Sequence, residues 1–127
     1  MKRIAIIEDN RIIQQLLSSW FDDEDFTVLR LTDTESLTER IKSFNPDLVI
    51  SDIMIPNETP ESLIIKLRNI NRPKVVLSSM DRPEVKNFAD SIGAIASFCK
   101  HSDIKEMFDF ITDHFSQVNE KESIELV

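Results

Sequence analysis

The sequence predicts an α/β fold: a doubly wound sheet of five parallel strands with helices on both faces. Three observations carry this expectation. Short apolar runs alternate with amphipathic stretches five times along 127 residues. The connections are short, and no internal repeat or interdomain linker interrupts them. Acidic residues stand directly after two of the apolar runs, at Glu8-Asp9 and at Asp52. Strands that alternate with helices imply a parallel sheet covered on both sides. The strand order 2-1-3-4-5 is one of two common doubly wound solutions, and it places strands 1 and 3 side by side where ligands bind.

Each element has its own signal. Lys2 to Ile7 reads as the first strand. Asn10 to about Asp22 reads as a helix, because Ile12, Ile13, Leu16, Leu17 and Trp20 recur at helical spacing. Phe26 to Leu31 alternates like a strand. Asp33 or Thr34 is the expected cap of the second helix, whose apolar face holds Leu37, Ile41 and Phe44 and which Asn45-Pro46 stops. Asp47 to Ser51 is continuously apolar after its first residue and reads as a strand buried on both faces. Ser62 to Ile70 is the third helix, with Leu63, Ile64, Leu67 and Ile70 inward. Lys74 to Leu77 is the fourth strand. Asp81 caps a fourth helix that has Pro83 in its first turn and runs to about Ser91. Ala94 to Cys99 is the fifth strand. Ser102 caps a last helix with Ile104, Met107, Phe108, Ile111 and Phe115 inward. The domain is expected over 1–118, with 119–127 as an aperiodic tail that frays.

Composition excludes several functions. One domain accommodates this length. No apolar run approaches the ~20 residues of a membrane span, and four apolar residues before Glu8 are too few for a signal peptide, so a cytoplasmic protein is expected. A formal net charge of -8 opposes binding to phosphate backbones. With one glycine, Gly93, the chain cannot build a P-loop or a dinucleotide fingerprint. With one cysteine, Cys99, it forms neither an internal disulfide nor a cysteine-based zinc site, and a buried thiol is expected.

Glu8, Asp9, Asp52 and Lys100 all follow apolar runs, so a single polar pocket at one sheet edge is expected. Three carboxylates crowded together need compensation, and an oxygen-only set favours Mg²⁺. Lys100 adds a charge suited to a phosphoryl oxygen. Ser78 and Ser79, at the end of strand 4, supply hydroxyls. Such a group can accept a phosphoryl group on a carboxylate.

Four segments together carry a resemblance: Ile6-Ile7-Glu8-Asp9-Asn10, the run from Asp47 to Pro56, Val75-Val76-Leu77-Ser78-Ser79, and Gly93-Ala94 with Lys100. The span from Lys2 to about Phe115 resembles the response-regulator receiver domain of two-component signalling, of the chemotaxis type. The resemblance implies a flavodoxin-like three-layer sandwich. It implies Asp52 as phosphoacceptor from a sensor histidine kinase or phosphotransfer protein, and Glu8, Asp9, Asp52 and the backbone carbonyl of Met54 as Mg²⁺ ligands. Lys100 would contact the phosphoryl group and Ser78 would be the switch hydroxyl. Helix 4, strand 5 and helix 5 would form the output face towards a downstream protein and a homodimer surface. The chain would be a signalling domain without a fused output domain, and not an enzyme.

The sequence also departs from that pattern. Ser97 stands where the family has its switch aromatic, and strand alternation turns the adjacent Phe98 to the other face. His101 replaces the usual proline after the lysine. A cis bond there costs about 2.5–4 kcal/mol, so either a trans bond with a shifted loop or a strained cis bond is expected. The usual glycine after Asp52 is missing, and Pro60 stands near its place. Met54 and Met80 occupy positions that in this family flank the route of the hydrolytic water, and the resemblance therefore predicts a long-lived phosphorylated state. Two other readings compete. A pseudo-receiver would keep the fold as a constitutive interaction module. A phosphatase of the haloacid-dehalogenase type would need a second aspartate two residues after Asp52, where Met54 stands.

Overall fold

The computed structural model describes residues 2–79 and 83–125, with side chains to residue 117 in the last helix. The strands are β1 (Arg3–Ile7), β2 (Thr27–Leu31), β3 (Leu48–Ser51), β4 (Lys74–Ser78) and β5 (Ala96–Cys99). The helices are α1 (Arg11–Asp23), α2 (Leu37–Phe44), α3 (Pro60–Arg68), α4 (Pro83–Ile92) and α5 (Ile104–Glu125). All four strand pairings are parallel, and the order is β2-β1-β3-β4-β5. The expected doubly wound sheet is present.

Side-chain alternation along the strands builds two cores. Ala5, Ile7, Val49 and Val76 face Leu37, Ile41, Leu63, Leu67 and Phe88 on the α2–α3–α4 side. Ile4, Ile6, Leu48, Ile50, Val75 and Leu77 face Leu17, Phe21, Met107, Ile111 and Phe115 on the α1–α5 side. β3 and β4 are buried throughout because helices cover both their faces, which is why they read as continuous apolar runs. Phe21 is fully buried, with Phe26 and Phe108 rings each 5.1 Å away. Truncating such a ring to alanine costs about 3–5 kcal/mol.

Several helix starts differ from expectation. Asn10 caps α1, its side chain accepting from Ile12 N at 3.0 Å and Ile13 N at 3.2 Å. Ser36, not Asp33 or Thr34, precedes α2, in a left-handed conformation (φ 51°) and without a side-chain cap. The two expected caps are engaged elsewhere: Asp33 Oδ1 accepts from Glu35 N, and Thr34 Oγ1 donates to Glu58. α3 begins at Pro60, two residues early, with Thr59 as its cap. Proline there opens a helix, because the first turn needs no N–H from it. Asp103, not Ser102, directly precedes α5, and its Oδ2 accepts from Cys99 N at 3.2 Å.

α5 also runs on to Glu125, through residues read as a fraying tail. Glutamate and lysine there favour helix without any apolar stripe, and no glycine or proline stops it. The cap at Asp81 and the position of Met80 lie outside the described residues. Gly93 ends α4 with φ 69°, and Ala94 N returns to Ala89 O at 2.9 Å. No helix among the described residues is long and apolar enough to cross a membrane.

Candidate functional site

The register at the sheet centre assembles the site. Ile7 pairs with Ser51, so Glu8 and Asp52 are the next residues on neighbouring strands. Asp52 N donates to Ile7 O at 3.0 Å, which fixes this alignment. Ser78 ends β4 fully buried, and Lys100 N donates to its carbonyl at 2.8 Å. All the expected residues thus meet at the carboxyl ends of the strands, where open α/β sheets bind ligands.

Asp52 is 3% exposed. Its Oδ1 accepts from Ile53 N at 2.7 Å and Met54 N at 3.2 Å. Its Oδ2 lies 2.5 Å from Lys100 Nζ. One carboxylate oxygen is therefore held by backbone and the other faces the pocket. Glu8 is also buried, and its Oε1 accepts from Asn10 N at 3.0 Å and Lys100 Nζ at 2.9 Å. Its Oε2 lies 2.7 Å from the same Nζ, as an ion pair. Asp9 is exposed at the rim.

Oxygens of Glu8, Asp9 and Asp52 lie within 4.8 Å of one another. Against these three carboxylates the pocket sets one ammonium. Burial raises the Glu8 carboxyl above its ordinary value, and the Asp52 charge adds to this against the hydrogen bonds from Lys100 and Asn10 N. Burial alone would lower Lys100, but its bonds to Asp52 and Glu8 outweigh it and raise the ammonium. A hard cation fits such a set: all donors are oxygens, and Glu8 Oε2 is a buried carboxylate oxygen paired with the Lys100 ammonium, whose charge a cation can replace.

The departures have structural outcomes. Ser97 is exposed on β5. Phe98 turns to the α1–α5 side and packs on Phe110, with ring centroids 5.5 Å apart. No peptide bond among the described residues is cis, so the Lys100–His101 bond is trans. The left-handed residue of the loop after Asp52 is Asn57 (φ 63°), while Pro60 opens α3. Asparagine tolerates that conformation better than other non-glycine residues. The Met54 side chain is 56% exposed beside Asp52. Cys99 is half-buried rather than buried, because β5 is an edge strand.

Three supporting groups escaped the sequence reading. Asn10 carried a usable signal, an N-cap residue directly ahead of an apolar-periodic run. Gln14 is buried, and its Nε2 donates to the carbonyls of Ile6, Glu8 and Leu31. Glu58 accepts from Thr34 Oγ1 at 2.5 Å and Lys66 Nζ at 2.8 Å, tying the loop after β3 to the loop after β2. Neither of these two carries a motif. A separate recess, lined by Ile41, Pro46, Ile70 and Arg72, lies at the opposite edge of the sheet and shares no residue with the acidic pocket.

The fold thus carries three carboxylates and one lysine in a single pocket at the carboxyl ends of its central strands. The family model of the response regulator receiver domain matches residues 4–112, and the chain belongs to that family. It is similar to the Regulator of RpoS of Escherichia coli (strain K12), 32% identical over 96 residues, which are 74% of this chain and 27% of that protein. It is also similar to the response regulator protein GraR of Staphylococcus aureus (strain JH9), 30% identical over 93 residues, 72% of this chain and 42% of that protein. The chain thus spans about a quarter of one relative and under half of the other.

Among solved structures, a two-component response regulator from Clostridium difficile superposes with TM-score 0.83 at 18% identity, over 94% of this chain and 99% of that one. The BeF3-activated N-terminal receiver domain of Klebsiella pneumoniae RstA gives TM-score 0.77 at 24% identity, over 89% and 97%. At these identities the likeness concerns the fold.

Proposed function

We propose that this domain accepts a phosphoryl group on Asp52 from the phosphohistidine of a sensor histidine kinase or phosphotransfer protein. It then signals by binding a downstream protein differently. The single observation that carries this reading is the placement of Asp52 Oδ2, 2.5 Å from Lys100 Nζ and beside Glu8 and Asp9. In the transfer, an Asp52 carboxylate oxygen attacks phosphorus and the P–N bond to imidazole breaks. The electron pair leaves with the imidazole, and Asp52 becomes an acyl phosphate. Backbone N–H groups of Ile53 and Met54 hold Oδ1, which orients the attacking group. Lys100 moves its charge from the carboxylate to the phosphoryl oxygens, and the Ser78 hydroxyl donates to the same group.

Mg²⁺ held by Glu8, Asp9, Asp52 and the Met54 backbone carbonyl would offset charge on the transferring group. The domain has no separate substrate to turn over, so it acts as a signalling module rather than an enzyme. The output surface proposed is the α4–β5–α5 face, which would also serve a homodimer. There Ile95 is 45% exposed and Phe110 37% exposed.

A pseudo-receiver is the second reading, favoured by the exposed serine at position 97 where the family carries its switch aromatic. Incubation with Mg²⁺ and acetyl phosphate, followed by intact mass, separates the two. One added phosphoryl group in the wild type and none in Asp52→Asn is the expected result. An unmodified wild type that binds no Mg²⁺ would replace the first reading with the second.

A further inference from the structure

Gln14 lies early in α1, and its side chain is 3% exposed. Its Nε2 donates to Ile6 O at 3.0 Å, Glu8 O at 3.3 Å and Leu31 O at 3.3 Å. Glu8 N donates to the same Leu31 O at 2.9 Å. The amide therefore grips the ends of β1 and β2 and the turn that leaves β1. Its orientation follows from chemistry, because the reverse would set Oε1 against three carbonyl oxygens. The helix holds it in turn: Gln14 N donates to Asn10 O at 2.9 Å, and Ser18 Oγ donates to Gln14 O at 2.6 Å.

The other end of this amide is poorly served. Gln14 Oε1 is buried and accepts no hydrogen bond among the described residues. A buried acceptor without a partner is unfavourable, and methionine fills a similar volume without one. Filling the space therefore gives no reason for glutamine here. The carbonyls it grips do: Ile6 O and Leu31 O at the strand ends, and Glu8 O in the turn that carries the acidic pair. Glu8 O belongs to the peptide that joins Glu8 to Asp9, so fixing it sets where both carboxylates start. Asp52, by contrast, is fixed from β1 and its own loop.

We propose that Gln14 is a positioning residue of the acidic pocket: its amide orients the Glu8–Asp9 peptide and thereby sets divalent-cation affinity. This rests on the reading of the pocket as a cation-dependent phosphoacceptor. Gln14 touches neither cation nor phosphoryl group, so its loss weakens cation binding without altering the chemistry once the cation is bound.

The test titrates Mg²⁺ by calorimetry and measures acetyl-phosphate labelling across the same Mg²⁺ range. Wild type is compared with Gln14→Met, Gln14→Asn and Trp20→Ala. Asparagine keeps the amide but is one methylene too short for the three carbonyls, and it serves if the methionine variant does not fold. The half-saturating Mg²⁺ concentration is expected to rise by at least about tenfold in the Gln14 variants, as for other groups that orient metal ligands. The labelling plateau should stay within about twofold of wild type, the pattern of a lost binding contribution. Trp20→Ala, which loosens the far end of the same helix by removing its packing on Phe108, should leave the half-saturation point in place.

An unchanged half-saturation point in the Gln14 variants overturns the proposal. So does an equal shift in Trp20→Ala, which would mean general loosening of α1. A wild type that binds Mg²⁺ but takes up no phosphoryl group defeats the phosphoacceptor reading alone, and the calorimetric arm still decides the role of Gln14. A wild type that binds no Mg²⁺ defeats both.

Discussion

Lys100 Nζ lies 2.5 Å from Asp52 Oδ2, across 48 positions of sequence. The same nitrogen sits 2.9 Å and 2.7 Å from the two oxygens of Glu8. One ammonium, 8% exposed at its side chain, is thus the main compensation for two buried carboxylates. Any cation that enters competes with the lysine for the same oxygens.

Removing the lysine charge should expose this competition. Lys100→Met leaves Glu8 and Asp52 buried and uncompensated, which is expected to cost about 3–5 kcal/mol of stability near neutral pH in chelator. Added Mg²⁺ should then raise the melting temperature more in the variant than in the wild type, because binding to the native state stabilises it by mass action. Thermal melts with and without Mg²⁺ check both halves. Equal Mg²⁺ shifts in the two proteins would mean that Lys100 and the cation do not share ligands.

Two carboxylates should drive stability in opposite directions with pH. Glu58 is lowered from 4.5 to about 2 by hydrogen bonds from Lys66, Ser62 and Thr34. Its contribution is fully present above 4.5 and is lost as pH falls through about 2. Glu8 is raised above 4.5, chiefly by burial. Its contribution is present below 4.5 and is lost as pH rises through its raised value. Denaturant titrations across acid pH should show Glu58→Gln weakening the loss of stability towards pH 2. Glu8→Gln should remove the gain that accompanies acidification of the wild type from neutral pH. The raised ammonium of Lys100 adds stability that is lost only as pH climbs above 10.5.

Gly93→Ala should separate fold from site. The glycine has φ 69°, and an added Cβ would meet nothing within 4 Å. The cost is then backbone strain alone, about 1–2 kcal/mol. Denaturant melts should show that loss with Mg²⁺ affinity unchanged. A larger loss would mean that the α4–β5 turn packs more tightly than its surroundings indicate.

The lifetime of the acyl phosphate is expected to depend on Met54, whose side chain stands 56% exposed beside Asp52. An apolar group there hinders the hydrolytic water, and Met54→Asn should speed dephosphorylation by about tenfold, a barrier change of about 1.4 kcal/mol. Decay of the phosphorylated mass after removal of acetyl phosphate measures it. An unchanged rate would leave Met54 without a part in the lifetime.

Local pattern determined much of this protein from sequence alone. Burial on both faces makes β3 and β4 continuous apolar runs, and helical spacing marks Leu17 of α1 and Met107 and Ile111 of α5 as core. Parallel strands and the reversal between β1 and β3 then bring Glu8, Asp9 and Asp52 to one edge, because topology needs only the order of elements. Tertiary structure alone decided how those groups are held. Thr34 caps nothing because Glu58, in the loop after another strand, takes its hydroxyl. Gln14 points its amide at three carbonyls from two strands. Lys100 divides its charge between Glu8 and Asp52. Periodicity reports which face of an element is apolar. Hydrogen bonds and ion pairs between distant segments depend on distances of a few tenths of an ångström, which arise only when the strands come into register.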